Sequence, residues 1–140
     1  MMEKLVFVDA GVLIAAARGN DEVARRAMEV LDDPVAKFAS SIFVRLEVLP
    51  KPLYQNRDDE VLFYETFFAA VSVWAEPVPQ LAQNAYKEAV NAGLSAIDAL
   101  HVTAAAAVDA DELVTTEKPT RPIHRSKLVS IRTIAPAEKV

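Results

Sequence analysis

The stretch Leu5-Val6-Phe7-Val8-Asp9, running on into Ala10-Gly11-Val12-Leu13-Ile14, decides how the chain is read. Leu5 to Val8 are apolar without alternation, the pattern of a strand buried on both faces in a parallel sheet. The strand stops at a carboxylate, and the alanine-rich segment after it favours helix. An acid between a strand and a helix lies at the carboxyl edge of a parallel sheet, where open α/β folds place their ligands. A lone strand-end Asp is also an ordinary helix N-cap. Asp9 carries both readings until the rest of the chain is considered.

Downstream, Arg18-Gly19-Asn20 signals a turn, and Asn20 or Asp21 caps a second helix running through Leu31. Val35 to Ala39 reads as a second strand. Ser40 or Ser41 caps a helix carrying Phe43, Val44, Leu46, Glu47 and Val48, which Pro50 and Pro52 close. The helix predicted from Glu60 to Val71 is apolar over most of its circumference, which in a chain this small points to a partner. Val71 to Glu76 reads as a third strand. A helix from Gln80 to Asn91 follows, with Leu81, Ala85 and Ala89 inward and Gly93 ending it. Ser95 caps Ala96 to Val108, Glu112 to Thr115 is a fourth strand, Ile123 to Lys127 a helical turn, and Leu128 to Ile131 a last strand. Strands alternating with helices predict an α/β domain of three layers, with a central, mainly parallel sheet of four to five strands flanked by helices. Its expected span is 1–133, with 134–140 as a C-terminal tail.

At 140 residues, 52% hydrophobic and 25% charged, the chain suits one compact domain with a proper core. Without cysteine it can form neither disulfides nor thiolate metal sites, and with only two histidines an imidazole zinc site is disfavoured. A metal would have to be held by oxygen ligands, which suits magnesium or manganese. No apolar run approaches a membrane span, and the N-terminus lacks a basic region followed by a cleavage site. A cytoplasmic location is expected. The net charge of −5 argues against a surface that coats nucleic acid as a whole, but not against a local basic lip.

Four carboxylates stand apart from the surface charges. Asp9 ends the first strand, Glu47 sits in an otherwise apolar helix, Asp98 lies in the first turn after Ser95, and Glu117 follows the fourth strand. Singly, each has a bland explanation: a cap, a salt bridge, or an acid favoured by a helix dipole. Together, they occupy positions that a parallel sheet brings to one edge. Acids crowded there repel one another unless a cation neutralises them. Such a cluster fits hard divalent ions, and these support attack by water on a phosphodiester.

The ordered set resembles the PIN-domain family of metal-dependent ribonucleases, in particular the small VapC-type toxins. It is carried by Val6-Phe7-Val8-Asp9, Ser41…Arg45-Leu46-Glu47-Val48, Gly93-Leu94-Ser95-Ala96-Ile97-Asp98-Ala99-Leu100 and Ala110-Asp111-Glu112-Leu113-Val114-Thr115-Thr116-Glu117, over nearly the whole chain. The resemblance implies a Mg²⁺ or Mn²⁺ site in which Asp9, Glu47 and Asp98 match the three main acidic positions and Glu117 the fourth, all four serving catalysis. It also implies endonucleolytic hydrolysis of RNA, a homodimer, and a cognate antitoxin. Two departures stand out. Glu117 replaces the usual Asp, and Ala10-Gly11 supply no hydroxyl where relatives usually have one beside the first acid. These departures support an alternative: a weakened PIN-like module that binds RNA or protein without cleavage.

From Lys118 to Arg132 the chain carries five basic residues and no acid, beginning one residue after Glu117. Lys118, Arg121, Arg125 and Lys127 are the candidate RNA-binding side chains, suited to phosphate contacts rather than base reading. His101, one turn after Asp98, reads as a packed helix residue.

Overall fold

The computed structural model describes residues 3–137. In chain order it comprises β1 (Lys4–Val8), α1 (Ala10–Arg18), α2 (Glu22–Leu31), β2 (Ala36–Ser40), α3 (Ile42–Val48), α4 (Pro50–Tyr54) and α5 (Asp58–Ala69). There follow β3 (Val73–Trp74), α6 (Val78–Ala92), α7 (Ala96–Ala107), β4 (Glu112–Thr115), a 3₁₀ turn (Pro122–Arg125) and β5 (Ile131–Thr133). The five strands form one sheet in the order β3-β2-β1-β4-β5, and every pairing is parallel. This is the expected three-layer α/β domain.

β1 is central, with Val6 and Phe7 paired to Phe38 and Ala39 on one side and to Glu112 and Leu113 on the other. Its unbroken apolar run follows from this place, since Phe7 and Val8 are fully buried. The helix starts follow from local capping. Side chains of Asp21, Ser41 and Ser95 accept the N–H groups of Ala24, Val44 and Asp98, and Gly93 ends α6 in the left-handed conformation at φ 67°.

Some boundaries differ from expectation. Pro50 opens the short helix α4, with Pro52 in its first turn, and α6 begins at Val78 with Pro79 in its first turn. The missing proline N–H is harmless there, because the first turn leaves its N–H groups unpaired anyway. β5 is shifted downstream and overlaps the expected Leu128–Ile131 strand only at Ile131. Ser126 Oγ accepts the Leu128 N–H at 3.3 Å and keeps that segment turned, so the ladder starts where the Leu113 N–H meets the Ser130 carbonyl. The chain itself covers much of α5: Tyr64 and Phe68 are buried, Phe67 packs edge-on to Phe38, and Leu62 stays 65% exposed. Of the expected tail, 138–140 lie outside the described residues, while Ile134 is buried and its N–H meets the Thr115 carbonyl.

Candidate active site at the carboxyl edge of the sheet

Asp9 leaves β1 with extended backbone, and its Oδ1 accepts the Val12 N–H at 3.2 Å. It is therefore a helix cap and a sheet-edge acid at once. Its other oxygen, Oδ2, accepts the Thr115 hydroxyl from the neighbouring strand at 2.5 Å. Thr115 Oγ1 in turn accepts the Glu117 N–H at 3.1 Å, so one hydroxyl ties two of the four acidic positions together. Asp9 is only 7% exposed, and loss of solvation pushes its carboxyl up to about 6. Thr115, His101 and the Val12 N–H pull in the opposite direction, while the nearby Glu47 charge raises it further.

Glu47, on the solvent side of α3, meets Nε2 of His101 from α7. His101 is 3% exposed with its ring against Phe7, and Nδ1 has no partner among the described residues. The packed-residue reading is correct for His101 but incomplete. It lies three residues beyond Asp98 and so shares a face of α7 with that acid, the signal that could have drawn it into the site.

Asp98 sits in the first turn of α7, its N–H on Ser95 Oγ at 3.3 Å, and no hydrogen bond or ion pair engages its carboxylate among the described residues. The Glu117 carboxylate instead turns to Arg121, at 3.4 Å. The fold thus brings Asp9 and Glu47 together around Thr115 and His101, leaves Asp98 uncommitted, and pairs Glu117 with a cation. Among the described residues, no three Asp, Glu or His side chains converge tightly enough to ligate one ion.

The two edges of the sheet contrast in charge. At the amino edge, Lys4 lies 3.2 Å from Asp33 and 3.6 Å from Glu112, and Arg132 lies 2.8 Å from Glu112. The Arg132 hydrogen bond holds Glu112 below the usual carboxylate range, and the Val35 N–H does the same for Asp33. At the carboxyl edge, no Lys or Arg pairs with Asp9, Glu47 or Asp98 among the described residues. The donor set there is carboxylate oxygen, which suits a hard divalent ion. Asp9, held above its ordinary range by burial and further by the Glu47 charge, is the group whose charge such an ion would offset.

The hydroxyls missing from Ala10-Gly11 arrive from the end of β4. Thr115 supports Asp9 directly, and a Cβ on Gly11 would overlap Thr116 Oγ1, so the Thr116 hydroxyl fills that space. A groove of about 660 Å³ lined by Gly11, Ile14, Arg18 and Thr116 opens beside it. Lys118, Arg121, Arg125 and Lys127 are all exposed on the loop after Glu117. Arg125 Nη1 donates to the Ala92 carbonyl at 3.2 Å, while Arg132 belongs to the opposite edge.

A parallel α/β sheet whose carboxyl edge carries Asp9, Glu47 and Asp98, none of them paired with Lys or Arg among the described residues, defines the class. The sequence profile of the PIN domain matches residues 6–118, and the chain belongs to the PIN domain family. No curated protein sequence matches the chain significantly. Among solved structures, VapBC2 from Rickettsia felis bound to a promoter DNA fragment is similar at 12% identity and a TM-score of 0.69, covering 92% of this chain and 98% of that one. DNA-bound VapBC from Salmonella typhimurium is similar at 15% identity and 0.62, covering 95% and 98%. VapC20 from Mycobacterium tuberculosis, a toxin that cleaves the sarcin–ricin loop, is similar at 16% and 0.56, covering 77% and 86%. At these identities the likeness is one of fold. No described helix is long and apolar enough to cross a membrane.

Proposed function

We propose that the protein is a divalent-metal-dependent endoribonuclease, the toxin of a type II toxin–antitoxin pair acting in the cytoplasm. The reading is carried by the charge imbalance at the carboxyl edge, where buried Asp9 adjoins Glu47 and no Lys or Arg answers either among the described residues. Asp9, Glu47 and Asp98 would hold Mg²⁺ or Mn²⁺, with Glu117 assisting. The chemistry such an ion supplies is a lowered pKa for the attacking water and screening of charge on the scissile phosphate. Thr115 fixes Asp9 and favours its charged form, and His101 restrains Glu47. Lys118, Arg121, Arg125 and Lys127 bind the flanking phosphates. No side chain need act as a covalent nucleophile.

The fold shared with a toxin that cleaves the sarcin–ricin loop and with VapBC assemblies supports RNA as substrate and an antitoxin as partner. Leu46, Tyr54 and Leu62, which are 67%, 88% and 65% exposed, offer apolar surface on α3, α4 and α5 for that partner or for a second copy. A monomer at micromolar concentration in sedimentation would remove the homodimer.

The test incubates structured and unstructured RNAs with the protein plus Mg²⁺ or Mn²⁺, beside EDTA and Asp98→Asn controls. Metal-dependent cleavage that disappears in Asp98→Asn is expected, and cleavage that survives it would sink the assignment. The Glu117–Arg121 pair favours one other reading, a module that binds RNA or protein without cutting. Binding without cleavage under every condition would select it.

A further inference from the structure

Glu88 lies on the same stripe of α6 as Leu81 and Ala85 and is 5% exposed. A carboxylate at a core position costs stability unless hydrogen bonds replace its water. Its Oε2 accepts the hydroxyl of Ser126, itself 5% exposed, and its Oε1 accepts Asn91 Nδ2 at 3.3 Å. Ser126 stands between Arg125 and Lys127, so this one bond fixes the backbone that carries both cations. The rest of the loop is tied as well. Arg125 Nη1 donates to the Ala92 carbonyl, His124 Nε2 donates to the Glu117 carbonyl at 3.0 Å, and Ile123 is fully buried. Both of its hydrogen-bond donors lie on the loop and helix that it joins.

We propose that Glu88 is a positioning residue for RNA binding: through Ser126 it anchors the basic loop to α6 and sets where Arg125 and Lys127 meet phosphates. This rests on the proposed function, since it takes the loop as the RNA contact. Glu88→Leu removes the acceptor while keeping a similar volume on the stripe of Leu81 and Ala85, and the Ser126 hydroxyl left unpaired lowers stability.

The test measures binding of a fluorescein-labelled single-stranded RNA of mixed sequence in EDTA across a salt series. Glu88→Leu and Ser126→Ala should each weaken binding about tenfold, the effect of misplacing one charged group, and should flatten the salt dependence by about one phosphate. Glu88→Gln keeps an acceptor for Ser126 and should bind within about twofold of the wild type. Melting temperatures identify variants that fold; if Glu88→Leu does not, Ser126→Ala carries the comparison. Folded variants that bind like the wild type would overturn the anchoring role and leave the proposed function standing. A wild-type protein that binds no RNA at any salt concentration would overturn the loop's role, and the anchoring role with it.

Discussion

The hydroxyl of Thr115, at the end of β4, donates to Oδ2 of Asp9, at the end of β1, at 2.5 Å. Two adjacent parallel strands thereby finish on one hydrogen bond, and that bond favours the charged form of a buried acid. Thr115→Val keeps the shape and removes the donor. Mn²⁺ affinity, measured calorimetrically, should fall about tenfold, and stability should drop by about 1–3 kcal/mol for the unsatisfied acceptor. Unchanged affinity would make Thr115 an ordinary strand residue.

Asp9 also predicts how the metal-free protein responds to pH. Its carboxyl is pushed from 3.8 up to about 6 by burial, so the folded state holds the proton more tightly than the unfolded chain. The resulting stabilisation is full below about pH 4 and is lost as pH rises through about 6, an effect on the order of 3 kcal/mol. In EDTA, Asp9→Asn should therefore lose less stability than the wild type between about pH 4 and 7, as read by denaturant melts. Adding Mn²⁺ at the higher pH should raise the wild-type melting temperature and leave Asp9→Asn unmoved.

Gly11 provides a sign test. In a helix, Gly→Ala ordinarily stabilises by about 1 kcal/mol. Here the new Cβ would overlap Thr116 Oγ1, so Gly11→Ala should instead destabilise by about 1–3 kcal/mol. Thr116→Ala removes the obstacle, leaving its own Cβ position 3.4 Å from the added atom. The double variant should recover most of the loss in thermal melts. Additive losses would show that the hydroxyl yields to the added methyl without strain.

Charge reversal at Arg121 and Arg125 tests the basic loop. RNA binding should weaken, and its logarithmic salt slope should shrink by about 0.7 for each single-strand phosphate that is no longer neutralised. Because Arg121 also pairs with Glu117, the single variant Arg121→Ala should free that carboxylate while weakening RNA binding less. Binding unchanged in the double variant would remove the loop from the interface.

Much of the fold was legible because its signals are local. The apolar run of β1, the caps Asp21, Ser41 and Ser95, and Gly93 each act within a turn of themselves. Proline was ambiguous: Pro50 and Pro52 read as helix stops yet lie in the first turn of α4, where the same missing N–H does no harm. The acids were legible as a set because topology sends strand ends and the following helices to one edge. Their partners were not. Thr115 meets Asp9 across 106 residues, His101 meets Glu47 across 54, and Ser126 meets Glu88 across 38. His101 left a trace, one turn after Asp98 on α7, and Glu88 left one as an acid on the stripe of Leu81 and Ala85.

The Asp9–Thr115 bond also sets an order in time. As the chain is synthesised, Asp9 emerges early, and the strand that supplies its supporting hydroxyl emerges 106 residues later. Until β4 slots in beside β1, Asp9 has neither that donor nor the burial β4 provides. A nascent or truncated chain ending before Thr115 therefore lacks the assembled edge, so synthesis itself delays assembly of the acidic edge until nearly the whole domain has been made.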